Sequence, residues 1–558
     1  MMDRKRSLGF AALAVVAMAG GCHLIIGYQD AVLDESGGGA TCAVDGVKNG
    51  DETGKDCGGG LCPACADGEG CEVGPDCTNR VCIGGTCRPP ACDDGVQNGA
   101  ETDLDCGGGA ASGCTGCPNG SPCHAGPDCA NGVCQGDVCI DNLVWVRQFG
   151  RLSESSLAAS SDGSPVLTGL FESNVPPDLG GGDLDAATYH FAIAQYDEGG
   201  GHVWSAAFGE NGFACATDIA VDPRGNMLAT GYFDSDGTLG FGGASLTSAG
   251  STDMFLAKMT ASGSHLWSKR FGDAQGQSGN AVATDAAGNL VVVGGFGGSI
   301  NFGGSPLTGG GMFIAKLDPT GSHLWSQGFS NCLGDHVAAT PSGEVVAAGN
   351  LTGAVDFGGG TLQDSGPNDR FFVKFSSSGT HIWSKHFSLT YLAGIAADAD
   401  GDLVATGWFS GTVNFGGPSL NSATGGSSPN DAFVVKFGPS GEHLWSKRFG
   451  GPESDGCGDI DVDDFGNVIL ACGAGSPVDF GEGAVEGGFL VKLDADGNYV
   501  WSRKISDENG GISPDGIAAP DPAHIVLLGL LYGTVDLGAG PVTSQSYPDL
   551  ILAKFVVP

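Results

Sequence analysis

Basic residues are scarce in this chain: 24 Lys and Arg stand against 64 Asp and Glu, for a net charge of −40 at pH 7. So acidic a surface repels phosphate backbones, which excludes nucleic acid as a partner. No stretch reads as a membrane-spanning helix. The apolar run LGFAALAVVAM at 8–18 has eleven residues, and about twenty are needed to cross a bilayer. Cysteine is nearly absent after residue 139, because sixteen of the 21 lie between Cys42 and Cys139. The chain therefore divides into a short thiol-rich part and a long remainder that must bury its own core. At 558 residues it is too long for one core, and two or more domains are expected.

Glycine is abundant, at 101 residues, and it falls at fixed places. The organising stretch is Asp253–Gly272, DMFLAKMTASGSHLWSKRFG, which reads as two strands and a tight turn. Its Trp recurs as Trp145, Trp204, Trp267, Trp325, Trp383, Trp445 and Trp501, at intervals of 59, 63, 58, 58, 62 and 56 residues. Four positions on stand Phe149, Phe208, Phe271, Phe329, Phe387, Phe449 and Ile505. In a strand, positions i and i+4 share a face, so each repeat offers a two-pronged apolar plug.

The amino terminus carries Arg4, Lys5 and Arg6 before the apolar run, the layout of an export signal. Ala19, Gly20, Gly21 and Cys22 follow, and this stretch resembles a bacterial lipobox. The resemblance implies cleavage after residue 21 and lipidation of Cys22. It also implies an outer-membrane or cell-surface address, since His23 is not the Asp associated with inner-membrane retention. Ordinary cleavage nearby, with Cys22 a spare thiol, is the rival reading. Residues 22–41 lack periodicity and read as a lipidated, flexible tether.

Two Cys-rich repeats occupy 42–91 and 92–141, with eight Cys each. Apolar residues are too few for a core, so crosslinks stand in for it, each contributing roughly 2–4 kcal/mol. Eight thiols per repeat suggest four disulfides in each, with the pairing open. Zinc at Cys62-x-x-Cys65 or Cys114-x-x-Cys117 is disfavoured, because export oxidises thiols. Asp94, Asn98, Glu101, Asp103 and Asp105 have the oxygen density of a calcium site. Structural turns are the competing explanation, and in the first repeat Gly54 replaces the residue matching Asp103. The pair resembles Cys-rich modules of secreted delta-proteobacterial proteins, which act as stalks and surface modules.

From residue 142 each repeat gives four strand signals, as in ATDIAVD, NMLATGYF, DMFLAKM and HLWSKRF. This pattern resembles the seven-bladed β-propeller repeat family over 142–558. The implied fold is all-β. NLVWVRQF at 142–149 has no blade before it, and DLILAKFVVP at 549–558 has no Trp strand after it. Pairing these two closes the ring and removes two open edges.

Propeller ligands usually sit at the mouth of the axial channel, where the first strands begin. The aligned position there holds Ser156, Asp218, Ala281, His336, Gly394, Asp459 and Gly516. Asp218, His336 and Asp459 are the candidates for acid–base work or for holding a cation, against the plainer reading of a wet polar entrance. His202, His265, His323, His381 and His443 occupy one repeated position and are dispersed around the rim. Lys258, Lys316, Lys374, Lys436, Lys492 and Lys554 read as members of surface ion pairs. Cys457 and Cys472 face one another across a hairpin and are expected to form a disulfide, while Cys215 and Cys332 stay unpaired.

Three functions compete. The first is a noncatalytic, surface-tethered scaffold that binds protein or glycan, with no cofactor except calcium and as a monomer. The second is an enzyme. Residues 316–325 and 492–501, KLDPTGSHLW and KLDADGNYVW, resemble repeats of quinoprotein dehydrogenases, although those have eight repeats; a hydrolase or lyase using the channel trio is a variant. The third is an outer-membrane assembly factor, by fold analogy alone.

Overall fold

A computed structural model describes residues 48, 52–59, 62–78 and 80–89, scattered positions between 106 and 139, and 142–557 with short gaps. Cys22 and the calcium candidates Asp94, Asn98, Glu101, Asp103 and Asp105 lie outside the described residues. Two compact units divide at Pro89/Pro90. No helix among the described residues is long and apolar enough to cross a membrane.

The core of the first unit is sulfur. Cys57, Cys65, Cys71, Cys77 and Cys87 are buried against one another with Cys82. Disulfides join Cys57–Cys65, Cys71–Cys82 and Cys77–Cys87. Cys71, Cys77 and Cys87 approach as a metal triad would, but their sulfurs are spent in these bonds. Buried Asp76 closes a 3-10 turn, Gly74–Asp76, by accepting N–H groups from Glu72, Val73 and Gly59. Those donors hold its carboxyl down at about pKa 2. The second Cys-rich repeat shares the Cys106–Cys117 link and a short hairpin, Cys134–Gln135 with Val138–Cys139.

From residue 142 the described residues build seven antiparallel blades. Blade 2 shows the plan, with strands Ala214–Val221, Met227–Phe233, Asp253–Met259 and His265–Phe271 paired in that order. Blades 1 to 6 each use consecutive segments. Blade 7 takes Gly510–Asp521, His524–Asp536 and Asp549–Val556, then borrows Leu143–Phe149 from the other end of the array. The seam pairs Leu550 with Phe149 and Lys554 with Trp145. The seven first strands touch in a closed circle that surrounds the axis. Among the described residues the seam leaves no blade short of its four strands.

Seven apolar layers, one between each pair of adjacent blades, form the core. Trp267 and Phe271 of blade 2, for example, pack with Leu290, Val292 and Phe313 of blade 3. Second and third strands are covered on both sides, which is why DMFLAKM is buried throughout and reads as an unbroken apolar run. The indoles also tie blades together by hydrogen bonds. Trp204 Nε1 donates to Ala261 O at 2.9 Å, and Trp445 Nε1 to Ala495 O at 2.9 Å, each in the next blade's outer turn. Gly263 in that turn has φ +77°, and a Cβ there would lie 2.7 Å from Trp204. Glycine is thus required twice over.

Trp501 differs. Its Nε1 is buried and has no acceptor among the described residues. The turn that would face it is where the ring closes, and Val556 N to Asn142 O, 2.7 Å, spans the gap instead.

The repeated lysines correct the reading from sequence, because they are buried rather than at the surface. Lys258 pairs with Asp222 at 2.7 Å, Lys316 with Asp285 at 2.8 Å and Lys374 with Glu344 at 2.7 Å. The third strand lies between neighbouring blades, so its charged side chain must find a partner inside. That partner comes from the hairpin joining the first two strands of the same blade. The Nζ groups also reach the next blade: Lys316 donates to Gly343 O at 2.6 Å, and Lys258 shares Pro319 O with the Trp267 indole. Asp253, five residues before Lys258, is buried as well, but Arg270 answers it at 3.1 Å.

Candidate functional site

The channel wall is shaped by one repeated irregularity. Every first strand carries a β-bulge near its start, as between Ala216 and Asp218, Gly334 and His336, and Cys457 and Asp459. A bulge re-aims the side chains that follow it, and here they turn toward the neighbouring blade. Asp218 Oδ1 accepts from Ser156 Oγ of blade 1 at 2.7 Å, and Oδ2 from Val282 N of blade 3 at 2.7 Å. Asp459 accepts from Ile460 N at 2.8 Å and from Ile517 N of blade 7 at 2.9 Å. Gly394 makes room for it, since a Cβ there would sit 2.8 Å from Asp459 Oδ1. His336 Nε2 lies 3.2 Å from Leu392 O of blade 5.

Burial raises the carboxyl of Asp218 to about 6 and that of Asp459 to about 7, the latter pushed further by the charges of Asp461 and Asp218. Burial also lowers the pKa of His336. Asp461, which sequence reasoning passed over, repeats the arrangement two residues on. It accepts Ala519 N at 2.8 Å, and burial raises it to about 6. Within the trio the charge of Asp218 acts weakly on Asp459, while His336 serves a different blade junction. Among the described residues, only Cys71, Cys77 and Cys87 bring three potential ligand groups within coordinating distance.

Above this ring, at the end where the first strands begin, the repeat is least uniform. The bulge residues Thr217 and Asn280 donate to Gly279 O at 2.7 Å and Gly334 O at 2.8 Å. Asp335 accepts from Asn350 Nδ2, and burial lifts its carboxyl to about 6 against the pull of Arg370. Tyr391 is 46% exposed and stacks on Trp408, with ring centroids 4.4 Å apart and planes at 21°. Between blades 6 and 7 lies a cleft of about 830 Å³ lined by Gly473, Gly488, Gly511, Ser513 and Tyr532. A hint was present in the sequence: of the eight Trp, Trp408 alone falls outside the seven repeated positions.

Cys457 and Cys472 are in register on adjacent strands of blade 6 and are joined by a disulfide, Cα to Cα 3.8 Å. Cys215 and Cys332 are free and buried. Cys215 donates to Glu154 at 3.0 Å and burial pushes its thiol far up, as it pushes Cys332 to about 12, so neither supplies a thiolate. The repeated histidines are clamps on the outer loops. His265 lies against Gly243, where a Cβ would meet its ring at 2.3 Å, and its Nε2 is 3.1 Å from Ser268 Oγ. In the blade 5 hairpin DADGD, residues 398–402, Asp398 caps its own turn through Asp400 N and Asp402 N and binds Lys436 at 2.9 Å.

No family model matches the chain. A curated relative, the uncharacterized WD repeat-containing protein L264 of Acanthamoeba polyphaga mimivirus, is 21% identical over 505 residues. The match covers 69% of this chain and 36% of that protein, so the chain spans well under half the relative's length. Among solved structures, the WD40 repeats of RRP9 share 11% identity over 74% of this chain and 97% of theirs, with a TM-score of 0.39. U3-55K shares 10% over 73% and 98%, also with a TM-score of 0.39. The ring rests on the chain's own strand pairing rather than on these likenesses. By that pairing the chain is a seven-bladed β-propeller repeat protein, closed by its first propeller strand.

Proposed function

We propose that this protein is a noncatalytic binding scaffold, lipid-anchored through Cys22 at the outer membrane or cell surface, whose propeller presents its channel-mouth face to a protein or glycan. The observation that carries this reading is the fate of the channel trio. Asp218, His336 and Asp459 are engaged by groups of adjacent blades, so they act as pegs between sheets. The accessible and variable groups lie beyond them, at the mouth. A repeat-containing relative is consistent with an interaction role, though its name assigns it none. The acidic run Asp94–Asp105 remains the proposed calcium site.

The test is expression of the full chain in a Gram-negative host fed a clickable palmitate, followed by capture of ligands on the purified protein with and without chelator. Label should enter the protein and vanish in Cys22→Ser, and Asp218→Asn should leave ligand capture intact. Secretion without label would remove the anchor, and consumption of a captured ligand in an Asp218-dependent manner would make the protein an enzyme. Loss of capture with chelator would support calcium; indifference to chelator would count against it.

A further inference from the structure

Blade 5 departs from its sisters at one place. Where the other first strands carry Ser153, Cys215, Ser278, Leu333, Gly456 and Ser513, blade 5 carries Tyr391. Directly across the strand pair stands Trp408. Five of those six are small, and the sixth, Leu333 of blade 4, is aliphatic and 45% exposed, so the strand position itself does not call for an aromatic ring. An aromatic ring that the repeat does not require, left 46% open beside Trp408, marks a place suited to contact with something else.

Polar groups surround the open ring. Arg370 donates Nη2 to Thr390 O at 3.1 Å, immediately before Tyr391 in the chain. Its charge pulls on Asp335, which is held by Asn350. An aromatic face, a carboxylate acceptor and guanidinium and amide donors thus share one side of the mouth.

Charge narrows the ligand. An anion would be repelled by a chain of net charge −40, with Glu154 and Asp515 at the same end of the channel. A cation on the ring would be opposed by Arg370 beside it. What remains is a neutral ring with one apolar face and hydroxyls at its edge, which both donate and accept. We propose that Tyr391 and Trp408 form a stacking platform for a neutral sugar residue of a glycan, with Asp335, Asn350 and Arg370 engaging its hydroxyls. The proposal rests on the binding reading above and names its ligand class.

The experiment is a titration of the full-length protein with cellohexaose, chitohexaose and mannohexaose, followed by intrinsic Trp fluorescence, with a lysine oligomer in parallel. Tyr391→Ser and Trp408→Leu copy the residues that blade 1 carries at the same place, Ser153 and Leu170, and their thermal melts confirm folding. At least one neutral hexasaccharide should change the emission saturably. Either substitution should weaken binding by about tenfold or more, while Phe465→Ser, at an exposed hairpin tip, should not. Absence of binding by all three sugars at millimolar concentration overturns the site, as does binding indifferent to Tyr391→Ser. Tyr391-dependent capture of the lysine oligomer alone would replace the glycan with a basic peptide. Sugar recovered in cleaved form would leave the site standing and overturn the noncatalytic reading.

Discussion

At the scale of single residues, six of the seven repeated tryptophans perform two tasks, and the seventh separates them. The ring fills the layer between blades, and the N–H ties it to the next blade's turn. Trp204 does both, whereas Trp501 does only the first, since its buried N–H finds no acceptor among the described residues. Trp204→Phe should therefore cost about 1 kcal/mol more than Trp501→Phe, because removing an unsatisfied donor is nearly neutral. Denaturant melts of the two variants measure the difference; equal losses would show that the hydrogen bond contributes nothing.

At the scale of the element, the third strand is held by a buried ion pair as well as by its apolar faces. Lys316 and Asp285 have almost no side-chain exposure, and Lys316→Met strands the carboxylate inside. A loss of about 3–5 kcal/mol is expected from breaking such a pair. A loss below about 1 kcal/mol in a urea melt would return these lysines to the class of exposed pairs. That is the class in which the sequence alone places them. Spacing of Trp, Phe and Gly reveals how many blades there are and where the ring closes, since these residues recur at a period set by the sheet. It does not reveal that a strand is covered on both sides, so a recurring Lys looks like one that faces water. The bulge hides in the same way. Aligning the repeats marks Asp218, His336 and Asp459, but their swing into the adjacent blade depends on one extra residue that no period announces. Tyr391 and Trp408 were legible only as departures from the repeat, and a search for what recurs passes over them.

At the scale of the whole molecule, the ring carries carboxyls whose folded pKa is raised: Asp218, Asp335, Asp459 and Asp461. The unfolded chain would ionise them near about 4, so the folded state binds more protons between there and their folded values. Their contribution is complete below the unfolded pKa and declines as pH rises toward 6 to 7. Asp222 and Asp285, lowered in the fold, work in the opposite sense and lose their contribution as pH falls below the unfolded range. Stability of the propeller should consequently peak on the acidic side of neutrality. Calorimetric Tm should fall between pH 5 and pH 8, and Asp459→Asn should flatten that decline; a Tm that climbs across this range would contradict the assignment.

The seam between Leu143–Phe149 and Asp549–Val556 also has a mechanical meaning. The strand that shuts the ring is an outermost one and is entered directly from the preceding segment. Tension along its axis loads every backbone bond of the ladder together, whereas a sideways tug peels them singly, starting at Leu143 and Phe555. The propeller thus resists opening like a clasp, firmly against a straight pull and weakly against a twist away from the rim.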